Sequence, residues 1–155
     1  MTTGRDRDDR GRPRNARPRD ATGRPLPPEA DGVAPVDEVT RAPAEALATA
    51  QALINDGRPF AAHEVLEGAW KQAPQAERDF WQGLAQIAVG LTHAQRGNAG
   101  GAIALLERAG ERLARYAGST PYDVDVDGVR RQARERAARI EQQGLPITIE
   151  VTFRS

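Results

Sequence analysis

The chain has 155 residues, which is enough for one domain with tails and too short for two full domains. Its 22 basic residues balance its 22 acidic residues, which argues against a global attraction to nucleic acid or to a membrane surface. It has no cysteine, which excludes disulfide bonds, thiolate metal sites and a cysteine nucleophile. No apolar run is long enough to cross a bilayer and no apolar signal core is visible, so we expect a cytoplasmic protein.

Residues 1–38 are rich in Arg, Asp, Gly and Pro and show no hydrophobic period. Prolines recur through this segment and would interrupt any helix or strand. Such a composition buries too little apolar surface to offset the entropy that ordering removes. We therefore expect a disordered, low-complexity tail.

Between residues 40 and 117, apolar residues recur at helical spacing, and Pro and Gly separate the runs. The pattern predicts four helices, over 43–56, 59–72, 76–96 and 99–117. The third is hydrophobic nearly all round, which indicates burial between neighbouring helices. The expected fold is all-α: a small antiparallel helical bundle of about four core helices.

Residues 118–155 are predicted to contain a linker, an Arg-rich helix over 128–142 capped by Asp127, and an extended C-terminal segment. The apolar stripe of this fifth helix is narrow and made of small residues, so we expect peripheral, weak or partial docking. Its arginines are expected to be solvated rather than bound to nucleic acid. The terminal residues alternate between apolar and polar, a strand pattern with no sheet to join inside the domain. The predicted strand would pair across a dimer or pack loosely; its apolar residues are Ile147, Ile149, Val151 and Phe153.

The second predicted helix places polar side chains on an apolar face. His63 and Glu67 share that face with Phe60 and Trp70, and Glu64 lies at its edge. A carboxylate among apolar side chains is costly unless it is paired, and the four-residue spacing lets His63 and Glu67 contact each other. An antiparallel third helix would bring its own polar residues opposite this face. The predicted cluster comprises His63, Glu64, Glu67, Trp70, Gln82, Gln86 and His93.

Three interpretations of this cluster stay open. It forms a buried hydrogen-bond network that fixes the helix register, or a small-ligand or acid–base site that uses the titration of histidine near neutral pH. Alternatively His63, Glu67 and His93 bind a divalent metal as a two-His, one-carboxylate site. The zincin motif HExxH is not complete, because Glu67 stands where its second His is required. No catalytic residue can be assigned, and whether the protein is an enzyme is left open.

Three motifs follow one another in this region: AHExxExxW, then RxFxQGLxQxAxxxxH, then RGNxxGAxxLL. Together they resemble the bacterial family catalogued as domain of unknown function 309, with the match running over roughly 60–113. The resemblance implies a small helical bundle whose signature residues are largely polar, and it supplies no reaction, substrate or cofactor. The matching positions are His63, Glu64, Glu67, Trp70, Arg78, Phe80, Gln82, Gly83, Gln86, His93, Arg96, Gly97, Asn98, Gly101 and Ala102.

Two classes of function are consistent with the sequence. The first is a ligand- or metal-binding domain that uses the polar cluster, because ionisable groups converge on buried faces. The second is a non-catalytic interaction or scaffolding module that binds another protein or a second copy of itself. The absence of a complete catalytic motif and the unpaired terminal strand favour the second class.

Overall fold

A computed structural model describes residues 41–147 and 150–154, which all belong to one structural unit spanning 35–155. The tail predicted for 1–38 and the predicted strand residue Ile149 lie outside the described residues. Single 3₁₀ turns precede the third helix, follow the fourth and precede the fifth. The five α-helices of the described residues are α1 (Pro43–Asn55), α2 (Pro59–Gln72), α3 (Arg78–Gln95), α4 (Ala99–Leu113) and α5 (Val126–Gln143).

The helices begin and end at the proline and glycine residues that separate the apolar runs of the sequence. Pro43 and Pro59 lie in the first turns of α1 and α2, where a missing N–H costs nothing. Gly57 and Gly97 follow α1 and α3 with φ angles of 76° and 83°, a backbone conformation that glycine adopts without steric cost. The four predicted core helices and the all-α bundle are therefore confirmed. No helix among the described residues is long and apolar enough to cross a membrane.

The predicted cap of α5 was wrong by two residues. The carboxylate of Asp125, not of Asp127, accepts a hydrogen bond from the Gly128 amide, with an O···N distance of 3.0 Å. Val126 is fully buried, and the earlier cap places it in the first turn of the helix. Asp127 instead accepts a hydrogen bond of 3.2 Å from the Gly118 amide and so fastens the preceding loop.

The expected weak docking of α5 is also corrected. Val129 and Ala133 are fully buried, and Ala137 and Ile140 are 2% and 3% exposed. Small side chains let the backbone of α5 come close to α4, so a narrow stripe still packs well. The hydrophobic core thus continues from the first four helices through α5.

The predicted C-terminal strand is absent from residues 145–147 and 150–154. The alternation of apolar and polar residues still gives the segment one buried face. Val151 and Phe153 are 0% and 1% exposed, whereas Thr152 between them is exposed. No sheet is needed for this arrangement, since helix side chains bind the extended backbone. Residues 150–154, called here the C-terminal segment, are packed against their own helical bundle.

Glycines let α4 approach α3 closely. A Cβ atom on Gly83 would lie 2.7 Å from Cγ of Leu113, and one on Gly90 would lie 3.1 Å from Cγ of Leu106. These two glycines are seven residues apart, so both face the same neighbouring helix. The packing of α3 against α4 depends on the absence of side chains at these positions.

The variant Gly83→Ala is expected to lower the free energy of unfolding by about 1–3 kcal/mol, because the new methyl group collides with the branch carbon of Leu113. The matched control is Gly110→Ala on α4, where nothing lies within 4 Å of the added Cβ. That control should gain about 0.5–1 kcal/mol, since alanine favours the helix. Urea denaturation of both variants measures the difference, and equal stabilities would contradict the close approach.

Candidate functional site

The candidate site lies along the face that α2 and α3 share. The guanidinium carbon of Arg78, at the start of α3, lies 4.5 Å from the ring centroid of Trp70, near the end of α2. At the opposite end, the guanidinium carbon of Arg96 lies 5.7 Å from the ring centroid of Phe60. Both distances are within cation–π range. The two helices therefore run antiparallel, and an aromatic–Arg pair brackets each end of their polar middle.

His63 is the central residue of this face. It is 5% exposed, its ring centroid lies 5.2 Å from that of Phe60, and its Nε2 atom lies 3.8 Å from Oε2 of Glu67. The predicted contact of His63 with Glu67 therefore forms one turn along the helix. The Glu67 side chain keeps 18% of its surface exposed, so the pair opens toward solvent at its carboxylate end.

The rest of the α2 face is half-buried. Glu64 and Trp70 are neither fully buried nor fully exposed, so both are within reach of a ligand in solution. Carboxylates accept hydrogen bonds and imidazole can donate or accept one. The middle of the face therefore suits a ligand that presents N–H or O–H donors or a positive charge. The Arg78 and Arg96 guanidinium groups at the two ends provide donors for an anionic or carbonyl group.

Gln82 and Gln86 connect α3 to α4. The amide oxygen of Gln82 accepts a hydrogen bond of 3.2 Å from Nη1 of Arg112, and that of Gln86 accepts one of 3.2 Å from Nε of the same guanidinium. Gln86 is 6% exposed, so its bond to Arg112 satisfies a buried polar group. This part of the predicted cluster ties two helices of the bundle together.

Asp79 completes the same network. Its carboxylate accepts a hydrogen bond of 2.7 Å from Arg112 and another from Arg115. Burial raises the pKa of the Asp79 carboxyl, but the two guanidinium groups outweigh that effect and hold the pKa below its ordinary value. The carboxylate is therefore charged at neutral pH and holds Arg112 of α4 and Arg115 of the 3₁₀ turn that follows α4.

His93 is held by the loop between α3 and α4. Asn98 caps α4 by accepting a hydrogen bond of 3.0 Å from the Gly101 amide through its Oδ1 atom. Its Nδ2 atom is thereby directed at Nδ1 of His93, 3.0 Å away. An amide nitrogen can only donate, so Nδ1 of His93 accepts and Nε2 carries the proton in the neutral ring. The lack of a side chain at Gly101 leaves room for the imidazole, because a Cβ there would lie 3.1 Å from Cγ of His93.

The predicted metal set consisted of His63, Glu67 and His93. Across residues 41–147 and 150–154, no three His, Asp or Glu side chains are grouped so that they would hold a metal ion. The pair of His63 and Glu67 is present within α2, and His93 is positioned by Asn98. The geometry therefore gives a contact between an imidazole and a carboxylate on α2 and a second imidazole that Asn98 orients.

Arg112, which organises the α3 side of the cluster, was not predicted from the sequence. Arg112 follows Ala109 by three residues and precedes Leu113, and both of these neighbours are fully buried. Arg112 therefore lies at the border of the apolar stripe of α4. This position could have predicted its role, because a long cationic side chain there can reach across to α3. Two glutamines and an aspartate on one face of α3 were its complement.

The fold and this face define a small all-helical domain with a polar surface built on two antiparallel helices. Residues 47–105 match the model of the family described as Domain of unknown function (DUF309). The resemblance predicted from the sequence is confirmed over this segment, which runs from α1 into α4. Comparison with curated proteins found no match, and comparison with solved structures found none either.

Proposed function

We propose that the α2–α3 face is a binding site for a small polar ligand, with His63, Glu64 and Glu67 as its central contacts. The ligand presents hydrogen-bond donors or a positive charge to the two carboxylates. Trp70 and Arg78 form one end of the site, and the domain acts in the cytoplasm. Gln82, Gln86 and His93 support the site from α3 by keeping that helix in register with α4.

The observation that carries this proposal is a buried imidazole, His63, in contact with the partly exposed carboxylate of Glu67. His63, Gln86 and Thr92 are the buried polar side chains of the described residues. Thr92 donates to the Ala88 carbonyl of its own helix, and Gln86 joins α3 to α4. The contact of the His63 imidazole with the Glu67 carboxylate lies within α2, with 3.8 Å between Nε2 and Oε2. An imidazole and a carboxylate side by side on a face that is partly open to solvent support ligand recognition, because such groups can donate and accept hydrogen bonds and imidazole titrates near neutral pH.

The variant Glu67→Gln tests this proposal because it removes the charge and keeps the size of the side chain. Thermal denaturation is followed for the wild type and the variant against a panel of polyamines, amino acids, nucleotides and divalent cations. A compound at a hundred times its Kd should stabilise the wild type by about 2.7 kcal/mol and leave the variant unchanged. Without any compound, the two proteins should melt within about 4 °C of each other.

The control is Glu135→Gln, which removes a carboxylate that is exposed on α5. It should keep the full response to any compound that stabilises the wild type. If Glu67→Gln instead unfolds the domain and no compound shifts the wild type, the ligand proposal fails.

A second function is favoured by the contacts of Arg112. Its hydrogen bonds to Asp79, Gln82 and Gln86 join α3 to α4 and support a structural role for the polar groups of α3. If the α2 side of the cluster also serves this purpose, the domain is an interaction or scaffolding module for a protein partner or a second copy. Unfolding by Glu67→Gln is the outcome that supports this alternative.

A further inference from the structure

The C-terminal segment lies between α1 and α5 and is bound by one glutamine from each helix. Gln51 of α1 donates a hydrogen bond of 2.9 Å to the Val151 carbonyl and accepts one of 2.8 Å from the Phe153 amide. Gln132 of α5 donates one of 2.8 Å to the Thr152 carbonyl and accepts one of 2.9 Å from the Thr152 amide. The two side-chain amides thus take the place of the two neighbouring strands that a β-strand would have in a sheet.

Further contacts also go to the backbone of this segment. Arg136 donates to the Glu150 carbonyl through Nη2 at 2.7 Å and through Nε at 3.2 Å. The amide of Asp125 donates a bond of 2.8 Å to the Phe153 carbonyl. These groups form hydrogen bonds with the backbone of an extended segment, so they contribute little selectivity for its amino-acid sequence. Selectivity then comes from the two buried apolar side chains, which are two residues apart.

The two helices that form the groove are held by the rest of the hydrophobic core as well as by the segment. Gln51 and Gln132 stand on helices whose apolar faces are packed in the core, and water can satisfy their amides when the segment is absent. A cavity of about 350 Å³ also remains beside the segment. Exposed alanines of α1, Ala48 and Ala52, line it together with Phe153. Space therefore remains between the segment and α1.

We propose that the groove between α1 and α5 is a recognition site for an extended peptide of a partner protein, with residues 150–154 as its occupant in cis. The partner peptide carries two apolar side chains separated by one residue, as Val151 and Phe153 are. Its backbone binds Gln51, Gln132 and Arg136, and a larger side chain fills the space beside Ala48 and Ala52. The tethered segment competes with it, so binding in trans requires that the segment be weakened or released.

The test uses the full chain with Phe153→Ala, which removes the larger apolar side chain of the segment and changes none of the helix residues that bind it. The probe is a fluorescent peptide with the sequence EVTFRS, and anisotropy measures its Kd. The variant should bind it at least about tenfold more tightly than the wild type, whose own segment competes at an effective concentration on the order of millimolar. The control peptide EVFTRS has the same composition but moves its aromatic residue to the other face, and it should bind at least about tenfold more weakly.

Two further measurements keep the test decisive if Phe153→Ala is partly unfolded. Val151→Ala removes less of the buried surface and should also gain affinity for EVTFRS. Adding Gln132→Ala to either variant should weaken peptide binding by about tenfold, because two hydrogen bonds are lost.

Equal binding of the two peptides, or no gain in affinity in either variant, would overturn the proposal. A wild-type dimer in sedimentation that Phe153→Ala converts to a monomer would overturn the proposed occupant and assign the groove to a second copy.

Discussion

Replacing Phe153 with alanine is expected to lower the free energy of unfolding by about 3–5 kcal/mol. The ring is 1% exposed and belongs to the same apolar cluster as the helices. Removing it leaves a cavity between α1 and α5 and weakens the contacts that hold the segment. Denaturation with urea measures the loss.

The matched control for this prediction is Thr152→Ala. Its side chain is exposed, whereas its backbone bonds to Gln132 are retained in the variant. The change in stability should stay within about 0.5 kcal/mol. A loss of less than about 1 kcal/mol for Phe153→Ala would show that the C-terminal segment is not part of the core.

The second large effect is expected for Arg112→Met, which should destabilise the protein by about 2–3 kcal/mol. Methionine keeps the aliphatic part of the side chain but removes the donor to the buried Gln86 amide, and an unsatisfied buried acceptor costs about 1–3 kcal/mol. Gln82 and Asp79 lose a donor in the same step. Arg115→Met is the control, because the Arg115 side chain is 66% exposed and contacts the same carboxylate. It should cost no more than about 1 kcal/mol.

The effect of Arg112→Met should depend on pH in a defined direction. The pKa of Asp79 is lowered in the folded protein, so the ionised carboxylate stabilises the wild type above its unfolded pKa of about 3.9. That contribution is lost as the pH falls through the lower folded pKa. The stability difference between wild type and variant should therefore be largest near neutral pH and shrink below about pH 4. A difference that stays constant down to pH 3 would contradict the role of Asp79.

The helices were predictable because their ends are marked by local chemistry. Pro43, Pro59 and Gly97 restrict or release φ at single positions, and these effects do not depend on tertiary contacts. The C-terminal segment was interpreted as a strand because alternation signals only that one face is buried. It does not say what covers that face, and here the groups that bind the backbone are Gln51 and Gln132, far away in sequence.

The candidate site was predictable on α2 and less so on α3. The contact of His63 with Glu67 follows from the helical repeat within a single element. The partner of Gln82 and Gln86 depends on which neighbouring helix their face meets, and one helix wheel cannot distinguish α2 from α4. In the structure, the guanidinium group of Arg112 supplies the hydrogen bonds of both glutamines.

The two hydrogen bonds of the Asn98 side chain link the backbone of α4 to a side chain of the candidate site. The same side chain holds the first turn of α4 through the Gly101 amide and orients the imidazole of His93. Opening of that turn therefore also disturbs the hydrogen bond that orients His93. Hydrogen exchange at the Gly101 amide consequently reports, from a backbone position, how firmly a side chain of the candidate site is held.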